Sequence, residues 1–339
     1  MKILVTGGAG FIGSHTVLEL FAAGFEAIIL DNFDNSEPQV LEGLTKILGH
    51  SVKYYEGDVG NTTLLKQIFE TEQINGLIHF AAHKAVGESV QNPLKYYANN
   101  VAATVTLLQA MLDCSVSNFV FSSSCTVYGQ PDILPVTETT PMQMAESPYG
   151  NTKQMCEAII KDTVLSGANF KAIALRYFNP IGAHESALIG ELPRGVPSNL
   201  VPFVTQTAAG IRPKLTIFGN DYNTPDGTCI RDFIHVLDLA KAHVQAINLL
   251  VNTPSTNYYD TFNIGTGNGN TVLEVINTFE EVTGVKVNYE MGPRRSGDIE
   301  QIFADVSKSK EVLNWQTQKT LAEGLRDAWR WQQSLDKAV

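Results

Sequence analysis

Positive charge is scarce in this chain: 24 Lys and Arg face 35 Asp and Glu, for a formal charge of −11 over 339 residues. That balance excludes a broad electrostatic grip on nucleic acid or an anionic membrane, and an anionic small molecule would need local positive partners. Cysteine is sparse too. Cys114, Cys125, Cys156 and Cys229 all lie more than four residues apart, which excludes paired zinc ligands and points to reduced thiols. No apolar run approaches the ~18 residues of a membrane span. Met1–Thr6 enters a strand-like stretch with no charged leader, so the expectation is a cytoplasmic protein. The seven histidines lack H-E-x-x-H spacing, no metal is expected, and Ser124 has no G-x-S-x-G elbow around it.

The composition that remains, 44% hydrophobic and 17% charged, is that of a globular protein, and the length fits two domains at ~150 residues each. In the first half, apolar strand-like runs (Ile3–Val5, Ala27–Leu30, Val52–Tyr55, Gly76–Ala81, Asn118–Phe121, Phe170–Leu175) alternate with helical patterns. The helical stretches are Ile12–Ala23, Gln39–Leu48, Thr62–Glu72, Leu94–Leu112 and Tyr149–Leu165. This rhythm predicts an α/β fold, a doubly wound parallel sheet of Rossmann type, with a smaller α/β C-terminal substrate domain. The boundary is expected near residue 180, giving 1–180 and 181–339, with about 231–252 packing back on the first domain. Later helices are expected at Leu200–Ala209, Val236–Leu250, Val272–Thr283 and Thr320–Gln333, and strands at Leu215–Ile217, Thr261–Ile264 and Lys286–Tyr289.

At the first strand–helix junction, Thr6-Gly7-Gly8-Ala9-Gly10-Phe11-Ile12-Gly13 satisfies G-x-G-x-x-G through Gly8, Gly10 and Gly13. Glycines there let backbone amides approach a pyrophosphate at a helix N-terminus. Asp31 follows 18 residues after Gly13, placed to accept bonds from an adenosine ribose. No Arg or Lys follows in Asn32-Phe33-Asp34, which favours NAD over NADP; Asp58 ends the third strand, on the adenine side. Tyr149 and Lys153 stand at i and i+4 of a helix. A free tyrosine ionises near pH 10, so a tyrosinate base near neutrality needs cationic neighbours; Lys153 and the nicotinamide of NAD⁺ are the expected ones. Ser122-Ser123-Ser124 ends the fifth strand, at the edge where doubly wound sheets bind ligands, and Ser124 is the candidate partner of the reacting oxygen.

Taken together, Thr6–Gly13, Ser122–Ser124, Tyr149-x-x-x-Lys153 and Arg176-Tyr177-Phe178-Asn179-Pro180 resemble the extended short-chain dehydrogenase/reductase family. Phe80–Ser89, Ile217–Tyr222, Asp226-Gly227-Thr228, Arg231-Asp232 and Arg294-Arg295-x-Gly297-Asp298 narrow the resemblance to the UDP-glucose (UDP-galactose) 4-epimerases, from residue 1 to about 315. That resemblance implies oxidation of the sugar C4 hydroxyl by tightly held NAD⁺, rotation of the 4-keto sugar and its reduction on the other face. Tyr149 would be the base, Lys153 its electrostatic partner, and Ser124 part of the proton network. Further cofactor contacts implied are Gly7, Gly10, Phe11, Ile12 and Gly13 in the turn, and Asp31, Asn32, Asp58 and Val59 on the adenosine side. Phe80, Ala81, Ala82, Lys84, Asn99 and Ser122 would line the cleft, with Tyr177 and Phe178 against the nicotinamide. Lys84, Asn179, Asn199, Leu200, Phe218, Arg231, Arg295 and Asp298 would serve the UDP-sugar.

Where glucose/galactose-restricted members carry Tyr, this chain has Ile302, so acceptance of N-acetylated UDP-hexosamines is the alternative reading. A 4,6-dehydratase would need an acid after the serine cluster, but Cys125-Thr126-Val127 follows Ser124. A non-catalytic NAD-binding scaffold would be expected to lose Tyr149 or Lys153, and both are present. The resemblance also implies a homodimer pairing the helices Leu94–Leu112 and Tyr149–Leu165.

Overall fold

Successive residues of the first strands are apolar on both sides, and only a sheet covered on both faces can bury them all. The computed structural model, which describes residues 1–295 and 298–336, shows that arrangement. The strands are β1 (Lys2–Thr6), β2 (Glu26–Asp31), β3 (Lys53–Glu56), β4 (Gly76–His79), β5 (Asn118–Ser122), β6 (Phe170–Tyr177), β7 (Asn179–Ile181), β8 (Leu215–Phe218), β9 (Ile230–His235), β10 (Asn257–Ile264), β11 (Gly269–Thr271), β12 (Tyr289–Gly292) and β13 (Gln301–Ile302). The helices are α1 (Phe11–Ala22), α2 (Gln39–Leu48), α3 (Thr62–Glu72), α4 (Val86–Gln91), α5 (Pro93–Tyr96), α6 (Ala103–Asp113), α7 (Pro148–Leu165), α8 (Leu200–Ala208), α9 (Val236–Asn252), α10 (Val272–Thr283), α11 (Ser307–Val312) and α12 (Leu321–Asp336).

A seven-stranded parallel sheet runs in the order β10-β6-β5-β4-β1-β2-β3. Alternation divides its side chains: Ile3, Val5, Ile29, Val120 and Ile173 enter one apolar core with Val17 of α1 and Leu239 of α9. Leu4, Ile28, Phe119, Phe121 and Ala172 enter the other, against Leu65 of α3, Leu107 of α6 and Ile160 of α7. Strand order runs outward in opposite directions from β1 and β4, and at such a switch point the C-terminal strand ends leave an open crevice. The rest of the chain builds a sheet around β9, flanked by β7, β11 and β13, plus the pair β8–β12. Those strands pack on α8, α10 and α12 through Val204, Phe279 and Leu325.

Three expectations shift. The strand expected at Thr261–Ile264 runs from Asn257 and is the edge of the first sheet, in register with β6 from Asn257↔Phe170 to Ile264↔Tyr177. The chain therefore returns to the first sheet further than residue 252. The helix expected over Leu94–Leu112 is interrupted by a π-turn at Tyr97–Ala102. Its extra residue places Asn99 on the cleft wall and leaves Asn100 inside, where its amide bonds both the N–H and the carbonyl of His83. The strand expected at Lys286–Tyr289 lies instead at Tyr289–Gly292.

Candidate active site

The glycine turn is shaped by close approach. Gly7 has φ +71, and a Cβ there would fall 2.7 Å from the Ala81 backbone nitrogen; one on Gly13 would fall 2.2 Å from the Gly7 carbonyl oxygen. Gly10 begins α1 without a side-chain cap, so first-turn amides point toward the crevice. Across it, Asp31 ends β2 and is held by three donors: Ala9 N–H to Oδ2 at 2.9 Å, and Phe33 N–H at 2.9 Å and Ser36 Oγ at 2.8 Å to Oδ1. Asp58 accepts from Asn32 Nδ2 at 3.0 Å and from Gly60 N–H at 2.7 Å.

These groups line a cleft of about 480 Å³. Its wall carries Gly7, Gly10, Phe11, Ile12, Gly13, Asp31, Asn32, Asp58, Val59, Phe80, Ala81, Ala82, Lys84, Asn99, Tyr149, Lys153, Tyr177 and Asn199. A cradle that any Cβ would fill, an uncapped helix start and an acid at the end of β2 together fit a dinucleotide.

Tyr149 and Lys153 face this cleft from the first turns of α7, which Ser147 caps by accepting Gly150 N–H at 3.2 Å. Lys153 Nζ donates to the Ser122 carbonyl at 2.7 Å and lies 5.9 Å from the Tyr149 ring centre. Glu157, one turn further on, accepts from Ser123 Oγ at 2.5 Å and pairs with Arg176 Nη2 at 2.7 Å, all buried. That network ties α7 to the end of β5 and so fixes Ser124 relative to Tyr149. Ser124 is itself buried, its Oγ accepting Thr126 N–H at 3.3 Å.

Burial dominates the electrostatics of this pair. Burial, joined by the Tyr177 phenol, pushes the Tyr149 hydroxyl well above its ordinary value, with Ser124 opposing only in part. Burial also lowers the Lys153 ammonium to about 8. The lysine alone therefore does not make a tyrosinate: desolvation of both groups outweighs their attraction, and further positive charge is required.

The second cluster stands on the ends of β8 and β9 and the segment before β13. Arg231 Nη2 lies 3.8 Å from Asp298 Oδ1, which Arg295 Nη2 approaches to 2.7 Å, and Arg295 covers the Phe218 ring at 5.7 Å. Gly297 lies outside the described residues. Asn179 opens β7 and Leu200 opens α8, both half-buried. Phe178 and Ile302 are each 2% exposed and pack together with Val127, Tyr128 and Val136.

Sequence reasoning missed Glu191, Arg194 and His83, all on the cleft wall. Glu191 Oε1 accepts from Lys84 Nζ at 3.2 Å and Asn199 Nδ2 at 2.7 Å, joining two expected ligands. Only a Pro/Gly-rich loop surrounded it in sequence. His79 and His83 stand four residues apart, yet His79 is buried between Thr6 and Thr104 and driven down to about 3 by burial. Among the described residues no metal-holding cluster forms.

The comparisons with known proteins agree with this geometry. A family model described as GDP-mannose 4,6 dehydratase matches residues 4–328. The UDP-glucose 4-epimerase of Pasteurella multocida is 48% identical over 337 residues, 99% of each chain. Two solved structures of UDP-glucose 4-epimerases cover all of this chain and are themselves fully covered. That of Stenotrophomonas maltophila, with bound NAD and formylated UDP-arabinopyranose, has a TM-score of 0.97 at 44% identity. That of Bifidobacterium longum, with NAD+ and UDP, has a TM-score of 0.95 at 43% identity. The chain belongs to the extended short-chain dehydrogenase/reductase family, among its UDP-glucose 4-epimerases.

Proposed function

We propose that this protein interconverts UDP-glucose and UDP-galactose by transient oxidation at sugar C4, with Tyr149, Lys153 and Ser124 as its catalytic residues. The observation that carries the reading is the convergence of Tyr149 and Lys153 on the wall of a dinucleotide-shaped cleft, with Ser124 held beside them. Bound in the glycine cradle, NAD⁺ supplies the hydride acceptor and, after the sugar has turned, the donor. Tyr149 Oη takes the proton of the C4 hydroxyl and later returns it. Ser124 Oγ bonds the same oxygen, and the Lys153 ammonium favours the phenolate. UDP-glucose 4-epimerases of known structure hold NAD and UDP compounds, and here Arg231, Arg295, Asp298, Phe218, Asn179, Asn199 and Leu200 are the UDP-side contacts. Anchoring the non-reacting UDP leaves the sugar free to present either face.

The test is conversion of UDP-galactose to UDP-glucose by purified protein without added NAD, with transient reduced-nicotinamide absorbance. A folded, NAD-loaded sample that shows neither would sink the proposal. We place the activity in the cytoplasm, where its four free thiols stay reduced, and in a homodimer. Leu94 on α5, Val105 on α6 and Met155 on α7 expose apolar side chains (80%, 47% and 42%) on neighbouring helices, a surface suited to a second copy. Among the described residues no helix is long and apolar enough to cross a membrane.

A further inference from the structure

Residues 190–199 form a strap along the cleft, from a bridge between Gly190 and Ala183 to the start of α8. Its base is anchored inside the protein: Trp331 Nε1 donates to the Glu191 carbonyl at 2.8 Å, and Gly190 sits so close to the Trp331 ring that a Cβ would fall 2.5 Å from it. Its far end runs into α8 at Asn199. Between these anchors, Leu192, Pro193, Arg194 and Val196 line the cleft.

The tip of the strap is fastened across the cleft by one side chain. Arg194 Nε donates to Glu37 Oε1 at 2.8 Å, Nη1 to the Asp34 carbonyl at 2.6 Å and Nη2 to the Ser36 carbonyl at 2.8 Å. All three acceptors belong to the loop between β2 and α2. The same loop supplies Phe33 N–H and Ser36 Oγ, which orient the Asp31 carboxylate. A guanidinium is suited to this task because its planar fork meets several acceptors at once, which a lysine ammonium does not.

We propose that Arg194 is a positioning residue for the cofactor. It latches the strap over the adenosine end of the cleft and fixes the loop that aims Asp31, so that nucleotide leaves when the latch opens. The inference rests on the reading of this cleft as an NAD site. Arg194 does not touch the reacting atoms; it acts through Asp34, Ser36 and Asp31.

The experiment measures release of NAD from the protein as purified, with freed NAD consumed by an auxiliary dehydrogenase, and the melting temperature with and without nucleotide. Arg194→Ala should release NAD about tenfold faster, the scale expected for a partly exposed, charge-assisted contact. Arg194→Lys should fall between, and Glu37→Gln should have the smallest effect because both carbonyl bonds remain. Melting of the nucleotide-free protein should not change, whereas the stabilisation given by ADP-ribose should shrink. Release from Arg194→Ala at the native rate overturns the latch, as does an equal loss of melting temperature without nucleotide. Native protein that neither carries nor takes up NAD overturns the cofactor reading itself, and the latch with it.

Discussion

The two halves of the ligand site are built from different materials. At the cofactor end, backbone and buried groups do the shaping: glycines with no room for a Cβ, Asp31 fixed by three donors, and a lysine and tyrosine taken out of water. At the end we propose for UDP, long charged side chains at strand ends hold one another, with Arg295 58% exposed. A preorganised site costs little to occupy, whereas the arginine–aspartate cluster must rearrange around its ligand. Rigidity at the reacting end and adaptability at the anchoring end suit a reaction in which the sugar must turn.

The largest expected effect therefore lies at the rigid end. Tyr149→Phe should lower kcat by about 10²–10⁴-fold, the range for loss of a general acid–base group, while NAD stays bound. A variant with near-native kcat would break the assignment of the base. Gly13→Ala tests the cradle: its new Cβ would overlap the Gly7 carbonyl at 2.2 Å, so the turn must open. NAD should be lost from the purified protein, seen as an absent nicotinamide signal, and retained NAD would show that the turn is not closely packed against its ligand.

How far these halves were legible from sequence differs in the same way. The parallel sheet, the glycine turn and the Tyr149–Lys153 pair were readable because each depends on local spacing: alternation along a strand, fixed offsets in a turn, or i and i+4 on a helix. The place of β10 was not, since its pairing with β6 joins segments far apart in sequence, and Asn257–Ile264 reads like any half-apolar strand. The π-turn at Tyr97–Ala102 was invisible because Asn100 is set by its bonds to His83, which lies upstream in a loop. The rise of the Tyr149 hydroxyl was missed for a related reason: spacing reveals a neighbouring charge but not the desolvation that opposes it.

Burial at the rigid end also has a pH signature. His15 and His79 are lowered to about 3 and His243 to about 4, chiefly by desolvation. The unfolded chain takes up protons near pH 6.5, while these three stay neutral in the fold until much lower pH. Stability is therefore full above 6.5 and is lost progressively as pH falls toward 4 and 3. The melting temperature should drop across that interval. His79→Gln should flatten the dependence, even though it lowers stability at pH 7; an unchanged slope would show that His79 contributes nothing to it.

The smallest effects belong to the adaptable end, and there the two arginines should separate. Arg231 is mostly shielded, its side chain 18% exposed, and Nη1 is already held by the Ile230 carbonyl at 2.8 Å. Arg295 is 58% exposed and spends its fork on Asp298. A preset cation in a partly desolvated place gains more from a diphosphate than one that must first leave a carboxylate. Arg231→Ala should raise KM for UDP-galactose by about 10- to 100-fold, the size of a lost charge-assisted contact. Arg295→Ala should raise it by only about two- to fivefold, because loss of its Asp298 pairing frees that carboxylate for the ligand ribose and offsets part of the cost. In both, kcat should stay within a few-fold of native, since neither side chain lines the cleft that Tyr149 and Lys153 face. Equal changes in KM would mean that exposure does not rank these contacts, and a large fall in kcat from either would show that the UDP end also takes part in placing the sugar.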